Sequence, residues 1–145
     1  RWQASEVAGG INALAHNLSS RPLINLCPPI CLDVNASRWP EIQVDAVFSA
    51  NTLHIIGWAE VECFFAGVGR LLGSGGKLVV YGPFRYQGAY TSESNAQFDC
   101  WLQQRDSRSG IRDFEALERL ASAQGFCLQA DIAMPANNQL LFWQK

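Results

Sequence analysis

Residues 45 to 81, DAVFSANTLHIIGWAEVECFFAGVGRLLGSGGKLVVY, leave few architectures open. Asp45 to Ala50 is a short β-prone run. Trp58, Val61, Phe64, Phe65, Val68, Leu71 and Leu72 then recur at spacings of three and four, which places them on one apolar stripe of a helix. Gly73-Ser-Gly-Gly ends that helix, because glycine adopts the left-handed cap conformation without steric cost. Lys77 to Tyr81 follows as an unbroken apolar run, the pattern of a strand covered on both faces. Strand, helix, strand in this order predicts a parallel pair joined by a right-handed crossover.

The flanking residues extend the pattern. Arg1 to Ser5 reads as a strand, Ala8-Gly9-Gly10 as a turn, and Ile11 to Leu18 as a helix closed by Ser19-Ser20-Arg21-Pro22. A strand is predicted over Leu23 to Leu26, with a bent continuation through the double proline to Ile30-Cys31-Leu32, and Arg38-Trp39-Pro40 is loop. Gly82 to Ile111 reads as a long polar and aromatic loop. Asp113 is placed to cap a helix carrying Phe114, Leu117 and Leu120 that stops at Gly125. Cys127 to Met134 and Gln139 to Trp143 form a hairpin across Pro135-Ala-Asn-Asn138. The expectation is one α/β domain over residues 1–145, a Rossmann-like, mostly parallel sheet with a C-terminal antiparallel hairpin.

Composition narrows the function. Eleven basic and thirteen acidic residues give a net charge of −2, which offers no attraction to nucleic acid or an anionic membrane. No apolar run reaches the ~18 residues of a membrane span, and no charged-then-apolar segment opens the chain. The five cysteines are odd in number and none forms a Cys-x-x-Cys pair, so a reducing, cytoplasmic setting is expected and no metal site.

Two glycine-rich stretches fail as phosphate loops. Gly67-Val-Gly69 to Gly73 lies at the end of a helix rather than between a strand and a helix start. Gly73 to Lys77 is followed by Leu78 and a strand, where a P-loop needs Ser or Thr and a helix. More telling is the edge of the predicted sheet. Glu6 follows the first strand, Asp33 the second, Asn51 and His54 the third, and Pro83-Phe84 the fourth. Ligands of open parallel sheets bind outside the carboxyl ends of the strands. A carboxylate there can accept two hydrogen bonds from a ribose diol and a second can meet an adenine amino group, which points to a nucleoside-containing cofactor. His54 itself admits two readings, a histidine packed at a strand–helix junction and satisfied by backbone, or a general base.

The run DAVFSANTLHI, with WAEVECFFAGVGRLLGSGGKLVVYGPF, YTSESNAQFD, QQRDSRSGIRD and MPANNQLLF, resembles class I S-adenosylmethionine-dependent methyltransferases, in the branch that includes methyltransferase-like protein twenty-six. The resemblance covers essentially the whole chain. It implies methyl transfer from S-adenosylmethionine to a small-molecule acceptor. It makes Glu6 the ribose-binding acid, Asp33 and Val34 part of the adenine pocket, and Asn51 and His54 neighbours of the methionine end of the cofactor and of the acceptor. The segment after the fourth strand becomes an acceptor-facing cover, with Phe84, Tyr90, Asn95, Phe98, Arg105 and Arg112 as substrate residues, joined by Asn137 from the hairpin.

The family's first strand and its glycine-rich loop, of the EIASGTGQH type, have no counterpart in these residues. The expectation is therefore an N-terminally truncated fold that binds the cofactor weakly or not at all. A different class of reading makes the chain a non-catalytic assembly module that forms a homodimer through its exposed sheet. A nicotinamide-dependent dehydrogenase is disfavoured, since both its fingerprint and a Tyr-x-x-x-Lys pair are missing.

Overall fold

The computed structural model describes residues 1–20 and 22–145; Arg21, expected at the end of the first helix, lies outside the described residues. The chain divides into two units, residues 1–42 and 43–145.

In the first unit β1 (Trp2–Glu6), α1 (Ile11–Ser19) and β2 (Leu26–Cys31) form a strand–helix–strand element with β1 and β2 parallel. The second strand begins later than expected, at Leu26 rather than Leu23, and follows the expected continuation through Pro28-Pro29 to Cys31. Proline has no N–H to give a ladder. The register accordingly shifts between Gln3 and Ser5, and the Gln3 side-chain amide donates to the Pro28 carbonyl at 2.6 Å. Glu6 and Cys31 face each other at the carboxyl ends.

The second unit contains β3 (Ala46–Ala50), α2 (Trp58–Leu71), β4 (Lys77–Gly82), β5 (Phe84–Tyr86), β6 (Ala89–Tyr90), α3 (Glu93–Arg105), β7 (Arg112–Asp113), α4 (Phe114–Ala123), β8 (Cys127–Met134) and β9 (Asn138–Gln144). The main sheet has the order β3-β4-β9-β8, with β3 and β4 parallel and β9 antiparallel to both its neighbours. A small sheet, β6-β5-β7, stands apart from it in hydrogen bonding. The expected hairpin is present. The expectation of a mostly parallel sheet is corrected to a mixed one, because β9 inserts between β4 and β8 and makes two of the main sheet's three pairings antiparallel.

The predicted stripe of α2 buries Val61, Phe64, Phe65 and Val68, with Leu72 just beyond its end. Its termination differs from the glycine cap expected. Leu72 is extended, and Lys145 Nζ donates to the carbonyls of Gly69 (2.5 Å) and Leu72 (2.9 Å), a cation on the negative end of the helix. The left-handed glycine is Gly75, in the following turn, whose N–H meets the Lys145 carbonyl at 2.7 Å. Val61, Phe65, Leu78, Leu117 and Trp143 form the centre of the core, each fully buried at roughly 1.5–3 kcal/mol per large apolar side chain.

Gly82 to Ile111 is not a long loop. It contains β5, β6 and the thirteen-residue α3. The face that α3 buries consists of Asn95, Asp99 and Leu102, so two of its three inward positions are polar and no apolar stripe marks it. Asp113 occupies the cap position of α4, yet its carboxylate makes no capping bond and instead holds Arg85 Nη2 at 2.8 Å.

Candidate functional site

At the end of β3 the chain turns sharply. Asn51 adopts φ 54°, a left-handed conformation that asparagine tolerates better than most residues, and its N–H bonds the Tyr81 carbonyl at 2.9 Å. Residues 53 to 56 then pass over the end of the sheet. Each of their four carbonyls is held from a segment some fifty residues later. Arg112 Nε donates to Leu53 (2.9 Å), the Gly110 N–H to His54 (2.9 Å), Ser109 Oγ to Ile55 (2.5 Å) and Arg112 Nη2 to Ile56.

This clamp fixes His54, which is 5% exposed. The imidazole stands edge-on to Phe98 with ring centroids 5.4 Å apart. It also faces Gly82: a Cβ at that position would lie 3.6 Å from Nδ1 of His54 and 4.0 Å from Oδ1 of Asn51. Among the described residues no hydrogen bond joins either ring nitrogen to protein, and neither nitrogen is sealed from the surface as a buried orphan. Of the alternative reading, the packing at the strand–helix junction is present, while no backbone partner of the ring is found among the described residues. Burial first, and then the positive charge of Arg112, push its pKa below the ordinary 6.5, so the imidazole is neutral near pH 7.

Asn51, His54, Pro83, Ser94, Asn95, Phe98, Ala136 and Asn138 line a cavity of about 470 Å³. Its cover is α3, begun by Ser92, whose Oγ accepts the Asn95 N–H at 3.2 Å. Asp99, 1% exposed, ties the cover down. Its carboxylate accepts the Tyr90 hydroxyl (2.6 Å), Gln103 Nε2 (2.9 Å) and the Ile111 N–H (2.5 Å). Asn95 Nδ2 donates to Thr91 Oγ1 and to the Asn137 carbonyl, both at 2.9 Å, which joins α3 to the hairpin turn.

Of the residues expected at the site, Asn51, His54, Asn95 and Phe98 come together on this cavity. Five others, Phe84, Tyr90, Arg105, Arg112 and Asn137, do not line it. Phe84 is 2% exposed and belongs to the core, so Pro83 presents the strand end instead. Arg112 commits Nε and Nη2 to backbone carbonyls and acts on the loop of His54 rather than on a ligand. Arg105 lies over the exposed ring of Trp101, 4.7 Å from its centroid, and Tyr90 serves the Asp99 network with Arg85 over its ring. Asn137 gives its carbonyl to Asn95 and its Nδ2 to Ser94 Oγ, leaving the lining to Asn138. Ser94 and Ala136 were not singled out in the sequence, whereas Pro83 was read as part of the strand-end edge and Asn138, with Asn137, as a residue that either faces the site or serves the hairpin turn.

In the first unit Glu6 and Asp33 follow neighbouring parallel strands. Glu6 Oε1 accepts the Val7 N–H at 2.8 Å, Asp33 Oδ1 accepts the Asn35 N–H at 2.9 Å, and half-buried Val34 gives its carbonyl to Trp39 Nε1 at 3.4 Å. One oxygen of each carboxylate therefore has a backbone partner. Among the described residues no group of three or more His, Cys, Asp or Glu side chains is arranged to hold a metal ion, and no helix is long and apolar enough to cross a membrane.

A family profile described as "Protein of unknown function (DUF938)" matches residues 1–145. The chain belongs to the DUF938 family. This DUF938 chain shares its fold with solved methyltransferases. An O-methyltransferase family 2 protein from Planctomyces limnophilus, in complex with apigenin, superposes with a TM-score of 0.83 at 14% identity over 100% of the DUF938 chain and 42% of its own. An O-methyltransferase family protein from Burkholderia thailandensis gives 0.79 at 15% identity, over 99% and 43% of the two chains. The S-adenosylmethionine-dependent methyltransferase SibL, in its apo form, gives 0.80 at 16% identity, over 100% and 43%. The DUF938 chain thus spans about two fifths of the length of these proteins, and the likeness is one of class I methyltransferase fold.

Proposed function

We propose that this protein is an S-adenosylmethionine-dependent methyltransferase acting on a small molecule, with His54 as the base that takes the acceptor's proton. The observation that carries the reading is His54 itself: a buried, neutral imidazole without a protein partner among the described residues, facing a cavity at the carboxyl end of a strand in a methyltransferase fold. Methyl transfer is mainly in-line positioning plus removal of a proton from oxygen or nitrogen. Asn51 orients the reacting groups beside His54. The neighbouring amides and Phe98 hold the acceptor.

S-adenosylmethionine is the donor this reading requires. Glu6 is assigned to its ribose hydroxyls, and Asp33 and Val34 to its adenine. Residues 1–145 carry these side chains without a glycine-rich loop of the EIASGTGQH type, so binding by these residues alone is weak. A relationship to the branch of methyltransferase-like protein twenty-six, and a cytoplasmic setting suited to five unpaired cysteines, belong to the same proposal.

Calorimetric titration with S-adenosylhomocysteine tests it. Weak saturable binding that Glu6→Ala and Asp33→Ala abolish is expected, with transfer of labelled methyl from S-adenosylmethionine that His54→Ala removes. Absence of any saturable binding overturns the enzymatic reading, and micromolar affinity overturns the inference of weak binding.

A second reading, homodimeric assembly, has its own support in β8. This eight-residue strand forms the outer edge of the main sheet, with Ile132 48% exposed. Such an edge is a template for pairing with a second copy. A monomeric mass by light scattering across micromolar concentrations counts against it.

A further inference from the structure

We propose that the cavity at the end of β3 takes an uncharged ligand presenting two or more O–H donors, which the side-chain oxygens of Asn95 and Asn138 receive. That this ligand is the methyl acceptor rests on the function proposed above; its chemical class rests on the cavity.

The orientation of Asn95 is fixed by the Asn137 carbonyl, which can only accept, and that of Asn138 is assigned from the longer contact to the Pro135 carbonyl. Asn95 Nδ2 points at the carbonyl of Asn137 (2.9 Å) and at Thr91 Oγ1 (2.9 Å), which uses both of its hydrogens. Asn138 Nδ2 points at the carbonyl of Pro135 (3.4 Å) and at the Tyr81 hydroxyl (3.1 Å). In each residue the oxygen is what remains for a ligand. Neither oxygen is a buried orphan, so both reach space that water or a ligand can enter. Neutral His54, with neither ring nitrogen bonded to protein among the described residues, adds one acceptor nitrogen and one N–H donor to the same cavity. Ser94 Oγ already receives Asn137 Nδ2 at 3.1 Å and shares a hydrogen bond with Ser92 Oγ at 3.0 Å. The wall is rich in acceptors, and its complement is a molecule rich in donors.

Charge excludes the other candidates. No Asp, Glu, Lys or Arg lines the cavity. A carboxylate or phosphate would meet amide oxygens with no counter-charge and so gain no charge-assisted hydrogen bond in exchange for its hydration. An ammonium would find oxygens but no carboxylate, since Asp99 is committed to Tyr90, Gln103 and Ile111, while the Arg112 charge acts on His54 from behind. Phe98, edge-on to His54, supplies the apolar surface against which a ring can lie.

Residues 1–145 are titrated with catechol, cis-1,2-cyclohexanediol, 1,2-dimethoxybenzene, benzoate and benzylammonium, following heat and the ring resonances of His54. Both diols are expected to bind and to shift His54. The dimethyl ether, of the same shape but without donors, is expected to bind at least about tenfold more weakly. The two ions are expected not to bind. Asn138→Ala should bring the diols to the affinity of the ether while leaving the ether unchanged. Equal binding of ether and diols, binding of either ion as tightly as the diols, or no binding by either diol overturns the proposal. The two readings fail separately: diol binding without methyl transfer removes the enzyme and keeps the ligand class, whereas methylation of a charged acceptor does the reverse.

Discussion

Arg112 reaches Leu53 across 59 positions of sequence, its Nε 2.9 Å from the Leu53 carbonyl, one residue before the histidine that faces the cavity. With Nη2 on Ile56 and on Arg108 (2.9 Å), one guanidinium spans the loop. Arg112→Gln leaves these carbonyls short of donors and is expected to cost about 1–3 kcal/mol of stability, read by chemical denaturation. It also removes a positive charge that disfavours protonation of His54, so the His54 ring titrates at higher pH in this variant, as followed by NMR. Arg112→Lys keeps the charge and loses the fork, and is expected to lower stability while leaving the His54 pKa near that of the parent.

The depressed pKa of His54 carries a sign. Below pH 6.5 the unfolded chain takes up a proton on this residue that the folded chain refuses, so unfolding is favoured as pH falls. The contribution is fully present above 6.5 and is lost progressively on acidification through the lower folded pKa. Thermal unfolding temperature should therefore fall in that window, and His54→Gln should flatten the decline. A parent and variant with parallel pH profiles would contradict this.

Gly82→Ala separates fold from function. The added Cβ meets Nδ1 of His54 at 3.6 Å and Oδ1 of Asn51 at 4.0 Å, ordinary van der Waals distances. Replacing glycine within a strand removes unfolded-state freedom, worth roughly 0.5–1 kcal/mol in favour of the variant. Stability is expected to hold or rise while methyl transfer falls, because the methyl group occupies the space in front of the imidazole. Calorimetry and an activity assay on the same sample decide it.

Asn51 stands in the left-handed region, at φ 54°. Asn51→Val should destabilise the protein by roughly 1–3 kcal/mol, as a β-branched residue is poorly accommodated there. Asn51→Gly should fold as well as the parent and still lose activity. If the glycine variant is as active as the parent, Asn51 serves only the turn.

How far the sequence speaks depends on what a segment buries. The apolar stripe of α2 and the run of β4 were readable because large apolar side chains repeat with the period of the element that hides them. The helix α3 was missed for the converse reason: its inward residues Asn95 and Asp99 are polar and held by hydrogen bonds, including ones outside the helix to Asn137 and Ile111, and no apolar periodicity records them. The same limit governed the site. Asn51 and His54 were visible as polar residues at a strand end. Arg112 looked like a ligand-binding arginine because nothing near it in sequence indicates that backbone carbonyls from residues 53 and 56 use its donors.

Lys145 and the 109–112 segment impose an order on synthesis. The strand β3 and helix α2 emerge from the ribosome long before the groups that complete them. The carbonyls of residues 53 to 56 wait for Ser109, Gly110 and Arg112, and the end of α2 waits for Lys145. Contacts so distant along the chain form late in folding, after costly loop closure. On a translating ribosome the loop of His54 therefore lacks its clamp until residues 109–112 have been delivered, and the Ala136 and Asn138 edge of the cavity is missing until the hairpin follows.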